Sequence, residues 1–293
     1  MTDPTKTQPA IEQFVTSDGY RHHYRHWRPS GSRPKSYVVA LHGIQSHSGW
    51  YGHSSGRLCE AGHEVLFVDR RGSGLNTRER GHARHHNRLT NDVVQILTEV
   101  RNRRNREAPA APVVLLGVSW GGKLAAVSTA RRGELIDGLA LLYPGIRSRF
   151  RASRWQRFKL SLAEAVEIED KRIPVPLDDA GLFTTNVEKQ AFIREDPLAL
   201  RDVTVSFLSA DRSLDAALSP AQNIIRCPAL LMLAGQDRII DNVVTREWFE
   251  SLATQERRVR EYPESGHTLE FESARDEFIV DLIRWLDDLC DLT

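Results

Sequence analysis

One short stretch of the chain has the residue types of an activated nucleophile: Gly117-Val118-Ser119-Trp120-Gly121. An apolar run at residues 112–116 precedes it, and residues 122–127 read as the start of a helix. The pattern Gly-x-Ser-x-Gly between a strand and a helix is typical of a nucleophile elbow, in which the serine lies on a sharp, strained turn. Glycine at both ends lets the strand and the helix approach closely. The stretch therefore predicts that Ser119 presents its hydroxyl at the edge of a sheet.

A serine at such a turn needs a base, because its hydroxyl is a weak nucleophile at neutral pH. On an elbow of this kind the other partners follow the serine in chain order, first an acid and then a histidine. The chain has 11 histidines, and only His267 follows Ser119. His267, in a Ser-Gly-His loop, is therefore the predicted base.

The predicted acid is Asp237, because it follows closely on an apolar strand that ends at Ala234. Residues 144–150, which follow the preceding strand, contain no acid. The expected role of Asp237 is to hold the tautomer of His267 and to stabilise its imidazolium form. Asp241 is a distant second candidate, because it is also placed to cap the helix predicted over 241–253.

Two backbone N–H groups are predicted to hold the oxyanion. One belongs to Trp120, directly after the nucleophile, and the other comes from the turn after the strand Tyr37–Leu41, where Ile44 is the expected donor. Losing one donor of this kind typically lowers the rate by about 10²–10³-fold. His42, in the same turn, is predicted to hold the loop in place rather than to act as a base.

The elements that must position these residues follow an α/β pattern. Apolar runs that predict buried parallel strands lie at residues 37–41, 65–69, 112–116, 139–143 and 229–235. Turns with polar residues follow these runs, at the carboxyl edge where open α/β sheets bind their ligands. The pattern predicts a mostly parallel central sheet of about eight strands, with helices on both faces.

The alternation of strands and helices stops between residues 146 and 224. We therefore predict a core formed by residues 11–145 and 225–293, with residues 146–224 inserted as a helical cap. Helical pieces are expected within that cap at Trp155–Val166 and Asp202–Leu208. Residues 1–10 are predicted to be a flexible tail.

Composition excludes several classes of protein. The chain has 293 residues, a net charge of +1 and three scattered cysteines. The charge gives no indication of a nucleic-acid partner, and the cysteine spacing indicates neither a disulfide framework nor a zinc site. No signal peptide and no apolar run of about 18 residues is recognisable, so a reduced, cytoplasmic protein is expected.

Three histidines lie on the second strand of a predicted hairpin: His22, His23 and His26. They are expected to be solvated edge residues rather than metal ligands.

Taken together, these motifs resemble the α/β-hydrolase superfamily and, within it, the branch of monoacylglycerol lipases and lysophospholipases. The matching pieces are residues 42–51 (HGIQSHSGWY), 69–74 (DRRGSG), 117–121, 235–237 and 265–267. The resemblance covers roughly residues 12–145 and 225–290, whereas the cap matches poorly. It implies the α/β-hydrolase fold, a triad of Ser119, Asp237 and His267, oxyanion donors at Ile44 and Trp120, and no cofactor or metal.

The resemblance further implies a serine hydrolase that acts on a small acyl ester, such as a monoacylglycerol or a lysophospholipid, through an acyl-enzyme on Ser119. Thioester, amide, peptide or C–C bond hydrolysis and acyl transfer would use the same triad. A ligand-binding homologue without turnover is the alternative from a different class of protein.

Three aromatic residues, Trp50, Tyr51 and Trp155, are candidate substrate contacts. The stretch from Arg147 to Lys159 carries Trp155 and Phe158 among several cations, so it could contact anionic lipid as a peripheral membrane surface. A solvated cap helix is the simpler interpretation of the same stretch.

The branch of monoacylglycerol lipases and lysophospholipases often has Gly-Glu-His-Ser-Gly where this chain has Ile44 to Gly49. This departure bears on the substrate more than on the mechanism.

Overall fold

Eight strands form the central sheet in the computed structural model, which describes residues 8–31, 33–149 and 169–292. The strands in chain order are β1 (Ala10–Val15), β2 (Arg21–Trp27), β3 (Tyr37–Leu41), β4 (Glu64–Val68), β5 (Val113–Val118), β6 (Gly138–Leu142), β7 (Arg172–Pro174), β8 (Asp202–Thr204), β9 (Ala229–Ala234) and β10 (Arg257–Tyr262). Their order in the sheet is β1-β2-β4-β3-β5-β6-β9-β10, with β7 and β8 paired separately. Only the pairs β1–β2 and β2–β4 of this sheet are antiparallel, so the predicted mostly parallel sheet is confirmed.

The central strands are continuous apolar runs because both of their faces are covered. Every residue of β3, β4, β5, β6 and β9 is buried. Burying one such Val or Leu side chain contributes about 1.5–3 kcal/mol to folding. In the register Leu41 lies opposite Gly117 and Val68, so these parallel strands end side by side. The turns that follow them therefore meet at one edge of the sheet.

Seven helices of the described part cover the sheet and its edge. They are α1 (Gly52–Glu60), α2 (His86–Glu107), α3 (Trp120–Arg131), α4 (Val187–Glu195), α5 (Val205–Gln222), α6 (Asn242–Glu250) and α7 (Arg275–Cys290). On one face of β3, Val38 and Ala40 line a small cavity with residues of α1 and α7. On the other face, Leu41 lines a cavity with residues of α2 and α3. Helices therefore cover both faces, as predicted.

The proposed cap differs in detail from its predicted secondary structure. Asp202–Thr204 forms strand β8, and the helix begins only at Val205, where the hydroxyl of Thr204 accepts the N–H of Phe207. The predicted helix at Asp202–Leu208 is therefore wrong at its start, because Thr204 acts as an N-cap. Helix α5 packs against α3 of the core, so we propose that the cap ends near residue 204 rather than at residue 224. The predicted helix Trp155–Val166, and Trp155 itself, lie outside the described residues.

Two expectations for the N-terminal hairpin are corrected. His22 and His26 are buried rather than solvated, because β2 is not an edge strand but lies between β1 and β4. Their ring nitrogens lie near carboxylates, with His22 3.5 Å from Asp92 and His26 2.5 Å from Glu64. Strand β1 begins at Ala10, so that residue belongs to the sheet and not to a flexible tail.

None of the described helices is both long enough and apolar enough to cross a bilayer.

Candidate active site

Ser119 lies on a strained turn between β5 and α3. Its φ of 50° falls in the left-handed region, which is rare for a residue with a side chain. A Cβ at Gly117 would lie 2.5 Å from the Cα of Gly122, and one at Gly121 would lie 2.4 Å from the carbonyl oxygen of Leu41. The turn therefore requires glycine at both positions, for the close approach that the sequence predicted.

The three residues predicted for the triad lie in a hydrogen-bonded row. Nε2 of His267 is 2.9 Å from Oγ of Ser119, and Nδ1 of His267 is 2.7 Å from Oδ2 of Asp237. The side chains of His267 and Asp237 are 2% and 0% exposed, so water does not compete for their contact. This geometry lets the imidazole take a proton from the hydroxyl while the carboxylate holds its other nitrogen.

The carboxylate of Asp237 is fixed by the turn after β9. Its second oxygen, Oδ1, accepts the backbone N–H groups of Ile239 and Ile240 at 2.8 and 2.9 Å. Both oxygens therefore have partners, and the side chain has one orientation. Asp241, the second candidate acid, instead caps α6, where its side chain accepts the N–H of Val244.

The loop that carries His267 is held from the side of the proposed cap. The N–H of Thr268 donates to the carbonyl of Phe183 at 2.7 Å. The buried carboxylate of Glu272 accepts the hydroxyl of Thr184 at 2.5 Å and the N–H of Thr185 at 3.1 Å. The loop that carries His267 is thus held by residues far away in the chain.

The ring of Tyr143 packs against the imidazole of His267. The backbone of Tyr143 has a φ of 36°, which is strained for an aromatic residue, and its ring packs edge-on against His267 at 4.9 Å between centroids. Burial raises the pKa of the Tyr143 phenol well above its usual value, so the phenol stays neutral. The sequence pattern indicates Tyr143 only as the end of a strand. The Pro-Gly pair directly after it was the one local sign of an unusual turn.

The turn after β3 lies directly against the nucleophile. A Cβ at Gly43 would be 3.3 Å from Cβ of Ser119. His42 ties this turn down, because its Nδ1 donates to the carbonyl of Gly43 at 2.7 Å and its Nε2 accepts the N–H of Arg70 at 3.1 Å. Burial, with the cation of Arg70, lowers the pKa of His42 well below its usual value. A neutral, fully bonded His42 matches the predicted holding role and leaves it no base function.

The two proposed oxyanion donors lie on either side of Ser119. Ile44 follows Gly43 in the turn, and Trp120 is the first residue of α3, where backbone N–H groups have no partner within the helix. Among the described residues, no acceptor takes the N–H of Ile44. Both groups are thus available to a ligand oxygen.

The structure places Trp50 and Tyr51 in the interior, after the turn that follows β3. The indole N–H of Trp50 donates to Asp196 at 2.6 Å, and the ring packs in an aromatic group with Phe183 and Phe271. The ring of Tyr51 stacks on Phe67, and its hydroxyl lies 2.9 Å from Oγ of Ser46. Both side chains are 4% exposed, so in this structure they support the turn. Contact with a substrate stays a prediction for both.

Sequence reasoning missed Glu270, which joins the segment after His267 to the start of helix α1. Its side chain is buried, and Oε1 accepts the N–H groups of His53 and Ser54 in the first turn of α1. Tyr51, the residue at the helix N-cap, offers no side-chain cap, so Glu270 caps the helix from a distant part of the chain. Burial raises the pKa of Glu270 to about 7.

We expect Glu270 to make the free energy of unfolding depend on pH. The folded carboxyl keeps its proton up to about pH 7, whereas the unfolded one releases it near 4.5. The folded state therefore binds more protons between these values, and its stability falls as the pH rises through them, by about 3 kcal/mol at most. Urea denaturation across this range should show a flatter dependence for Glu270→Gln than for the unmodified chain. Glu264→Gln, at an exposed position, serves as the control, and parallel curves for all three proteins would contradict this expectation.

Comparisons with known proteins agree with this architecture. Residues 32–274 match the model of the family described as Serine aminopeptidase, S33. Phospholipase YtpA of Bacillus subtilis (strain 168) is 25% identical over 262 residues, which cover 86% of this chain and 95% of the relative. Monoglyceride lipase of Homo sapiens is 24% identical over 264 residues, covering 88% and 84%.

The same fold is found in solved structures. A soluble variant of monoglyceride lipase from Saccharomyces cerevisiae, in complex with a substrate analog, superposes with a TM-score of 0.85. The identity is 18%, and the match covers 98% of each chain. At that identity the likeness concerns the fold alone, and the chemistry has to be argued from the residues of this chain.

Proposed function

This chain belongs to the serine aminopeptidase, S33, family, and from that premise we propose that it is a serine hydrolase that cleaves carboxylic esters. The observation that carries the proposal is the hydrogen-bonded row from Ser119 through His267 to Asp237. A hydroxyl, an imidazole and a carboxylate in that order are the parts that nucleophilic acyl transfer needs.

The reaction proceeds in two halves. His267 takes the proton of Ser119 as the hydroxyl oxygen attacks the acyl carbon, and the N–H groups of Ile44 and Trp120 bind the resulting oxyanion. His267 then gives the proton to the departing alcohol, which leaves an acyl-enzyme on Ser119. In the second half a water molecule is activated by the same imidazole and releases the carboxylic acid. Asp237 keeps the imidazole in the required tautomer and stabilises its protonated form.

The proposed substrate is the ester of a fatty acyl group with a glycerol-type alcohol. The relatives with the names phospholipase and monoglyceride lipase support an ester rather than an amide. The family description names an aminopeptidase, so amide hydrolysis is the alternative. The two activities are compared with an ester and an amide of the same acyl group.

Labelling with a fluorophosphonate probe tests the proposed nucleophile. Such a probe phosphonylates a serine only when a base activates it, so the unmodified protein should be labelled at one residue, and Ser119→Ala should not be labelled. Ser251→Ala, which removes an exposed serine, should label like the unmodified protein. Equal labelling of Ser119→Ala would refute the proposal.

The surroundings of the protein are part of the same proposal. We propose a reducing, cytoplasmic location, which is supported by the free cysteines Cys59 and Cys227. We also propose that the cap makes a peripheral contact with lipid. From residue 150 onward the basic stretch predicted for this contact lies outside the described residues, but Val187 and Phe192 of α4 are exposed apolar side chains in the cap.

A further inference from the structure

A buried arginine next to the proposed oxyanion hole has more donors than partners. Arg70 is 5% exposed, and its Nη2 donates to the carbonyl of Ile44 at 2.5 Å. Its guanidinium carbon lies 4.8 Å from the ring of Trp120 and 5.2 Å from that of Phe207. Among residues 8–31, 33–149 and 169–292, nothing forms a hydrogen bond with the buried Nε and Nη1. Arg70 thus touches both residues that supply the proposed oxyanion donors while two of its own nitrogens stay unused.

The carboxylates near Arg70 already have other partners. Asp69 accepts the backbone N–H groups of Ser48 and Leu75. Asp211 accepts the indole N–H of Trp120 at 2.6 Å and the ammonium of Lys123 at 2.8 Å. In the part of the chain that the structure describes, neither acid forms an ion pair with Arg70.

A second arginine, Arg80, is near enough for its charge to act on Arg70, and it too has no counter-ion in the described part of the chain. Arg80 donates to the carbonyls of Gly74, Leu198 and Ala199, and no carboxylate of the described residues pairs with it. Burial and the neighbouring cation of Arg80 lower the pKa of Arg70 to about 9, so Arg70 stays charged at neutral pH. Two cations whose charges repel, one of them buried with unpartnered donors, are unfavourable unless an anion binds near them.

We propose that Arg70 and Arg80 form a subsite that binds an oxyanionic group, a phosphate or a carboxylate, of the ester substrate. The inference rests on the proposed ester hydrolysis. The planar guanidinium of arginine matches such groups with parallel N–H donors. Because Arg70 touches Ile44 and Trp120, the bound anion would lie only a few bonds from the ester carbonyl. The preferred substrate is therefore an ester that carries a negative charge near the bond that is cleaved.

Two pairs of substrates test this preference and separate the two sources of charge. The first pair is 1-lauroylglycerol and 1-lauroylglycerol 3-phosphate, which differ by a phosphate on the alcohol side. The second pair is 4-nitrophenyl butyrate and the 4-nitrophenyl half-ester of glutaric acid, which differ by a carboxylate on the acyl side. We expect the unmodified enzyme to favour the anionic member, in kcat/KM, in at least one pair. The pair that shows it identifies which side of the ester faces Arg70.

The ratio of anionic to neutral kcat/KM is the measured quantity, because it is unaffected by a general loss of activity. Arg70→Met should lower this ratio about tenfold or more, the usual effect of losing charge-assisted hydrogen bonds. Arg70→Lys, which keeps the charge, should retain part of the preference for the anionic substrate. Arg80→Met should lower the ratio without disturbing the bond from Arg70 to Ile44. Arg257→Met is the matched control, since Arg257 also donates to backbone carbonyls, those of Leu252 and Thr254. An unchanged ratio in Arg70→Met and Arg80→Met would overturn the subsite.

Inorganic phosphate gives a readout that does not depend on turnover. Phosphate should raise the melting temperature of the unmodified protein more than chloride does at equal ionic strength, and Arg70→Met and Arg80→Met should lose this difference. An equal effect on all proteins would count against the subsite. If the unmodified protein cleaves neutral esters but shows no anion preference, the subsite alone fails. If it cleaves no ester and takes up no fluorophosphonate, the proposed function fails.

Discussion

Ser119→Ala should lower ester turnover by about 10⁶-fold while substrate binding survives. The hydroxyl of Ser119 is the atom that would bond to the acyl carbon, and no other group in the row from Ser119 to Asp237 can replace it. The substitution removes the contact of Oγ with His267. The turn itself is held by the backbone N–H groups of Gly122 and Gly145, which donate to the carbonyl of Ser119. The fold should therefore persist. Single-turnover kinetics with a 4-nitrophenyl ester measure the loss.

The remaining activity of Ser119→Ala is itself informative. The proposed oxyanion donors are backbone groups and stay in place, so a rate above that of the uncatalysed reaction is expected. Ser251→Ala, at an exposed position far along the chain, should retain full activity. Turnover by Ser119→Ala close to that of the unmodified enzyme would mean that the nucleophile lies elsewhere.

Asp237→Asn should lower kcat by about 10⁴-fold with little change in folding, the size of effect known for the corresponding change in serine proteases. The hydrogen bonds at Asp237 give the reason. Oδ1 accepts two backbone N–H groups, from Ile239 and Ile240, so the amide oxygen of asparagine must take that position. The amide nitrogen then faces Nδ1 of His267 and donates to it. His267 must carry its proton on Nε2, where it can no longer accept the proton of Ser119.

The matched control for this change is Asp241→Asn. Asp241 is four residues away and caps α6, and asparagine is an equally good N-cap. Its kcat should therefore stay close to that of the unmodified enzyme. Each of the two variants loses one negative charge. A similar loss of kcat in both would therefore show that Asp237 acts only through its charge and not through the tautomer of His267. The pH dependence of kcat in Asp237→Asn provides a second measurement of the tautomer effect.

The sequence alone determined which strands form the sheet. Runs such as Tyr37–Leu41 and Ala229–Ala234 are apolar throughout, and only strands covered on both faces have such a pattern. The glycines on either side of Ser119 predicted the tight elbow. The order of acid and histidine in the chain restricted the base to His267, because no other histidine follows the serine. These features depend on local pattern or on chain order, and both can be read from a sequence.

Only the tertiary structure showed what holds these residues in place. Glu270 caps a helix that begins more than 200 residues earlier, Tyr143 supports His267 through a strained backbone, and Arg70 reaches the carbonyl of Ile44. His22 and His26 are buried because a third strand pairs with theirs. Each of these contacts joins segments far apart in the chain. Their side chains have no periodic pattern, because distant groups are brought within bonding distance only when the sheet and its turns have formed.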